Sequence, residues 1–107
     1  MDSFSIKRGD TGPAIRRSFV TDAGMLEIPE GSRVVFSMAE AITHHLVVNR
    51  QPCRIEGDGT VVYYWQDGDT DIAGLYEAEF DITRPDEAIE TAPNSGFIII
   101  NITRDIA

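Results

Sequence analysis

With one cysteine, Cys53, the chain can form no internal disulfide. A reactive cysteine needs a neighbouring base and an electropositive pocket. His44 and His45 are close in sequence, but nothing around them marks a Cys–His pair, so Cys53 is expected to be a reduced, packed or loop thiol. The two histidines stand side by side with no acidic or cysteine ligand at metal-site spacing, which makes them loop residues and leaves no expected metal. Long apolar runs are missing too. The longest, Phe97-Ile98-Ile99-Ile100, is strand length and far short of the ~20 residues that span a bilayer. The opening MDSFSIKRGD has no apolar stretch behind its charges and so does not read as a secretory leader; synthesis in the cytoplasm and no membrane partner are expected. Basic charge is scarce in the second half. Residues 1–55 carry seven basic and six acidic side chains (+1), residues 56–107 two and twelve (−10), for a net charge of −9. Phosphate contacts need clustered Lys and Arg, so a nucleic-acid groove is not expected.

Catalytic patterns are lacking as well. No Gly-rich phosphate loop opens a helix, and no Ser–His–Asp pattern sits in a strand-turn-helix context. Asp67, Asp69 and Asp71 are spaced two apart, which suggests calcium. The glycine and glutamate that an EF-hand loop needs at its sixth and twelfth positions are replaced by Ile72 and Ala78. An aspartate-rich turn, with Asp71 bonded to local backbone, is the expected arrangement. The expectation is a protein that is not an enzyme and holds no cofactor.

What the chain does have is alternation. In DIAGLYEAEFDI, starting at Asp71, the residues Tyr76, Ala78, Phe80 and Ile82 fall on one face of a strand, and Glu77, Glu79 and Asp81 on the other. Asp71, Gly74 and Tyr76 form the entry pattern of a tyrosine corner, in which the ring packs inside and the hydroxyl bonds to upstream backbone. Val34, Phe36 and Met38 are in register, and a helical turn over 39–42 is a possible continuation. Val61, Tyr63 and Trp65 oppose Val62 and Tyr64, a two-sided apolar pattern expected of a central strand or one that abuts a partner. Phe36, Trp65 and Phe80 are candidate core residues.

Residues 4–7, 14–20 and 46–48 add shorter strands. In 14–20, Ile15, Arg17 and Phe19 oppose Arg16, Ser18 and Val20; the arginine on the apolar side suggests an edge strand or a stem laid along apolar surface. Residues 97–102 are apolar almost throughout and imply burial on both faces or an edge open to another chain. Gly57-Asp58-Gly59 and Arg84-Pro85-Asp86-Glu87 read as hairpin turns, Asp22-Ala23-Gly24 and Pro29-Glu30-Gly31-Ser32 as further turns, and Pro93-Asn94-Ser95-Gly96 as a break. Met25-Leu26-Glu27-Ile28 is a short core cover, and 49–56 is irregular apart from a pairing at Arg54-Ile55. About seven short strands at near-regular spacing point to a single all-β domain over 1–107, an immunoglobulin-like antiparallel β-sandwich.

The sequence resembles the immunoglobulin-like N-terminal domain of tailed-phage baseplate upper proteins and its stand-alone relatives. The resemblance is carried by Ile6-Lys7-Arg8-Gly9-Asp10-Thr11-Gly12-Pro13, Ser32-Arg33-Val34-Val35-Phe36-Ser37-Met38, Gly59-Thr60-Val61-Val62-Tyr63-Tyr64-Trp65, Gly68-Asp69-Thr70, Gly74-Leu75-Tyr76-Glu77-Ala78-Glu79-Phe80 and Thr91-Ala92-Pro93-Asn94-Ser95-Gly96-Phe97-Ile98. It implies a non-enzymatic virion component that holds other phage proteins together; copies of the chain itself, in a symmetric assembly, are a further expected partner. The sequence has no fibre-forming heptads and no long extension after Ala107, which shifts the expectation towards a small adaptor of tail, baseplate or neck. Capsid decoration and a carbohydrate- or receptor-binding module, with Tyr64 and Trp65 as the exposed aromatics, are the alternatives. Arg16, Arg17, Tyr64, Phe97 and Ile99 are the candidate interaction residues, with the strand edges at 14–20 and 97–102 as the pairing surfaces.

Overall fold

The computed structural model describes residues 2–21, 24–25 and 28–106, and within them every regular element is a strand. Two sheets pack face to face. The front sheet runs in the order β1 (Ser3–Lys7), β11 (Ile98–Thr103), β9 (Gly74–Thr83), β5 (Arg33–Glu40), β6 (Leu46–Pro52), with β10 (Ile89–Ala92) also pairing β9. The back sheet is β2 (Ile15–Arg17), β8 (Val61–Tyr63), β7 (Arg54–Ile55). Two short segments, β3 (Val20–Thr21) and β4 (Gly24–Met25), pair with each other. Asp22, Ala23, Leu26 and Glu27, where a turn and a core cover are expected, lie outside the described residues. The front order and the B–E–D-like back order are those of an immunoglobulin-like β-sandwich. One pairing is not antiparallel: β1 runs parallel to β11, which makes the front sheet mixed.

Alternation decides which side chains enter the core. β5 buries Val34, Phe36 and Met38, and β9 buries Tyr76, Ala78, Phe80 and Ile82. β11 buries Ile98, Ile100 and Ile102, and β8 with its extension buries Val61, Tyr63 and Trp65. Phe36 is the hinge of this core. Its ring stacks on Tyr63 of the opposite sheet at 4.4 Å and meets Phe80 at 5.1 Å and Trp65 edge-on at 5.7 Å. Such pairs add to the stabilisation from burial itself. Phe36 and Phe80 are fully buried and Trp65 nearly so.

Several local expectations give way to long-range pairing. Residues 39–40 do not start a helical turn; β5 stays extended to Glu40 because β9 pairs with it along its whole length. Glu40 then closes the β5–β6 turn, its carboxylate accepting from the backbone N–H of Ile42 and Thr43. Residues 49–52 are not irregular but extend β6 to Pro52. The chain then crosses at Cys53 to the back sheet, where β7 pairs β8. β11 is not an edge: it lies between β1 and β9. Strand 14–20 is shorter than its pattern, with β2 ending at Arg17, and it does form one edge of the back sheet.

Candidate interaction surface

Two outer faces carry the side chains that the core leaves over. On the front face the registers line up transverse rows. Ile99 of β11, Glu77 of β9, Ala39 of β5 and Leu46 of β6 form one row. The next places Glu79 opposite Ser37, and a third runs Thr91, Asp81, Val35 and Pro52. A shallow concavity of about 150 Å³ opens between the first two rows, lined by Ser37, Met38, Ala39, Leu46, Glu79 and Phe97 among others. Phe97 and Leu46 are close to half exposed.

The acids on this face are unevenly matched. Asp81 accepts from Thr91 Oγ1 at 2.8 Å and from Arg50 Nη1 at 3.3 Å. Glu77 lies 4.0 Å from His44 Nδ1. Glu79 has no ion-pair partner among the described residues. Burial, and after it the negative charge of Asp81, push its carboxyl above the usual range.

The back face is built on one cross-strand row, Arg16–Val62–Arg54. Val62 is fully buried yet stands outside the inter-sheet core, flanked by the two arginines. Long arginine stems cover apolar surface while their heads stay wet. Arg16 pairs with Glu56. Arg54 is exposed and has no ion-pair partner among the described residues. Tyr64, close to half exposed, follows on the same side of the strand. Trp65 points inward, so it is not an exposed platform for a sugar ring.

Arg17 does not join this face. Its guanidinium grips both carboxylate oxygens of Asp2, at 2.8 and 2.9 Å, and the carbonyl of Ser3 at 3.1 Å, tying β2 to the rim of β1. Tyr76 donates its hydroxyl to the Ile72 carbonyl at 2.6 Å, and burial raises its pKa. Gly74, which opens β9, has φ of 154°, a conformation that side-chain-bearing residues rarely adopt. Among the described residues Asp71 makes no side-chain hydrogen bond to this corner; its backbone N–H contacts the Gly68 carbonyl at 3.4 Å.

The organising aspartate is Asp69 instead. One of its oxygens accepts the Tyr63 hydroxyl at 2.5 Å and the Gln66 N–H at 2.8 Å. Thr70, beside it, is a buried polar side chain and donates to the Asp10 carbonyl at 2.8 Å, while Gly9 N–H donates to the Thr70 carbonyl at 3.0 Å. Gly9, with φ of 83°, takes a turn conformation that favours glycine. The two Gly-Asp-Thr strings, Gly9-Asp10-Thr11 and Gly68-Asp69-Thr70, thus lock together across the chain. In the sequence Thr70 stands only as the end of the Gly68-Asp69-Thr70 motif, and only the fold supplies its partner.

Chemistry is sparse here. Among the described residues no three His, Cys, Asp or Glu side chains converge as metal ligands. Burial pushes the Cys53 thiol up to about 12, far from the range of a reactive thiolate. Comparison with known proteins gives no matching family, no matching curated protein and no matching solved structure.

Proposed function

We propose that this chain is a structural component of a tailed-phage virion, without enzymatic activity, acting as an adaptor of tail, baseplate or neck. The reading starts from the resemblance in sequence, and the observation that supports a structural role is what the motif residues do. Gly9, Asp10, Asp69 and Thr70 bond to one another or to Tyr63, and Tyr76 bonds to Ile72, so the motifs serve architecture rather than a reaction centre. The work of such a scaffold is to present faces, and the two outer faces described above hold exposed aromatic and charged side chains suited to protein contact. Strand-edge pairing through residues 97–102 is not part of the proposal, because β11 has neighbours on both sides.

The test is quantitative mass spectrometry of purified particles from the phage or prophage that encodes the chain, separated into heads and tails. Recovery with tails in ring-sized copy number supports the reading. Recovery with heads in lattice-sized copy number replaces it with capsid decoration. Absence from both fractions overturns it.

A further inference from the structure

We propose that the front face of one copy docks on the back face of the next, so that the chain assembles head to tail with itself. The inference rests on the structural-protein reading and names one partner for it. Strand addition is opposed at both edges of the front sheet. At β1, Arg17 covers the Ser3 carbonyl and the Lys7 carbonyl is taken by Asp10 N–H. At β6, Arg50 adopts φ of 51°, the register against β5 shifts twice, and Pro52 ends the strand. These are the devices that keep sheet edges from pairing. The back-sheet edges, β2 and β7, are only three and two residues long, which limits strand addition there as well, so contact falls to the faces.

The faces complement each other. The front presents Glu79, a half-buried carboxylate with no ion-pair partner among the described residues, in a concavity whose lining also includes Glu77, His44 and the exposed Phe97 and Leu46. The back presents Arg54, a guanidinium with no carboxylate among the described residues, on the row that also holds Arg16, with exposed Tyr64 beside it. Stacking the two faces gives Glu79 its cation, Arg54 its anion, and the aromatic rim of each an apolar neighbour. The net charge of −9 repels copies at long range, but at physiological salt the Debye length is about 8 Å, so the contact pairs decide the outcome. A standard interface takes about 800 Å² per partner, and the molecule exposes 6708 Å², so each face needs to supply only about an eighth of the surface. Because the two patches differ, the contact is heterologous: it closes a ring if the rotation closes and otherwise makes a filament.

The experiment is sedimentation velocity of the full chain over a concentration series reaching about 1 mM, where even a weak contact is populated. Wild type is compared with Glu79→Arg, Arg54→Glu, the double variant and an equimolar mixture of the two single variants. Wild type is expected to self-associate, and each single reversal to weaken association by about tenfold or more, because like charges then face each other. The double variant and the mixture restore it to within about threefold. Tyr64→Asp, at an exposed position, gives an independent loss if Glu79→Arg fails to fold. A wild type that stays monomeric throughout overturns the proposal and leaves the two faces to foreign partners, as does a mixture no stronger than its components. Self-association by protein that is absent from particles removes the virion reading while this contact stands; particle-bound protein with no self-association does the reverse.

Discussion

Removing a single oxygen, in Tyr63→Phe, tests how the back sheet is tied to the loop that leads into β9. Tyr63 is buried to 1% exposure, and its ring stacks on Phe36 and meets Trp65 edge-on at 5.4 Å. Phenylalanine keeps all of that packing and removes only the hydroxyl, which donates to Asp69 at 2.5 Å. A hydrogen bond to a charged acceptor contributes about 1.5–3 kcal/mol. Asp69 is half-buried and keeps the Gln66 N–H, so it is not stranded, and the lower end of that range applies. The expected cost is about 1.5 kcal/mol, set against the roughly 5–15 kcal/mol of a domain this size, and it lowers Tm by about 6–10 °C. Urea denaturation of wild type, Tyr63→Phe, Asp69→Ala and the double variant, followed by far-UV circular dichroism, gives the coupling directly. The same pair sets an alkaline limit. Burial first, and then the bond and the charge of Asp69, raise the Tyr63 pKa above its ordinary value. A folded pKa above the unfolded one means that the contribution is intact below about pH 10 and is lost as pH rises further. Tyr63→Phe should show a shallower alkaline loss than wild type. A coupling energy under about 0.3 kcal/mol would refute the reasoning, since the hydroxyl would then bond equally well to water.

Two further outcomes follow from burial and charge. Phe36→Ala removes the ring that joins both sheets and should cost about 3–5 kcal/mol in chemical denaturation, whereas Phe97→Ala, on the exposed rim of the front face, should cost under about 1 kcal/mol; similar costs would contradict the assigned core. Glu79 carries the opposite lesson. Its folded pKa is raised by burial and then by Asp81, so protonation favours the folded state: the contribution is present below about pH 4 and is lost as pH rises through the folded value. Glu79→Gln should therefore melt above wild type at neutral pH, the gap closing as the solution is acidified, and a variant that melts below wild type at pH 7 contradicts the assignment.

The two predictions that concern Asp69 and Glu79 depend on facts that lie beyond local sequence. Both residues belong to patterns visible in the chain, an aspartate-rich turn and an alternating strand. The pattern named Asp71 as the bonded aspartate, because any of three evenly spaced aspartates can turn a chain. Which one meets a buried hydroxyl depends on where β8 delivers Tyr63. Likewise, alternation placed Glu77, Glu79 and Asp81 on the outer side of β9, but their differing charge partners depend on what β5, β6 and β10 bring alongside.

The sequence by itself determined the strands with a clean period of two and the turns with clear glycine chemistry. Val34, Phe36 and Met38, and Tyr76 to Ile82 on the alternate positions, point inward as their spacing requires, because the pleat is a local property. Gly57-Asp58-Gly59 closes the β7–β8 hairpin with Gly59 at φ of 88°, again a local preference. Tertiary structure alone decided which strands are neighbours. An apolar run such as 98–102 is compatible with an edge or a centre, and it became a centre because β1 returned to pair with it in parallel. It also decided that residues 39–40 stay extended and that Gly9 meets Thr70 some sixty positions away. The front and back faces are products of the same kind of pairing: a period fixes which way a side chain points, whereas only long-range register fixes what stands beside it.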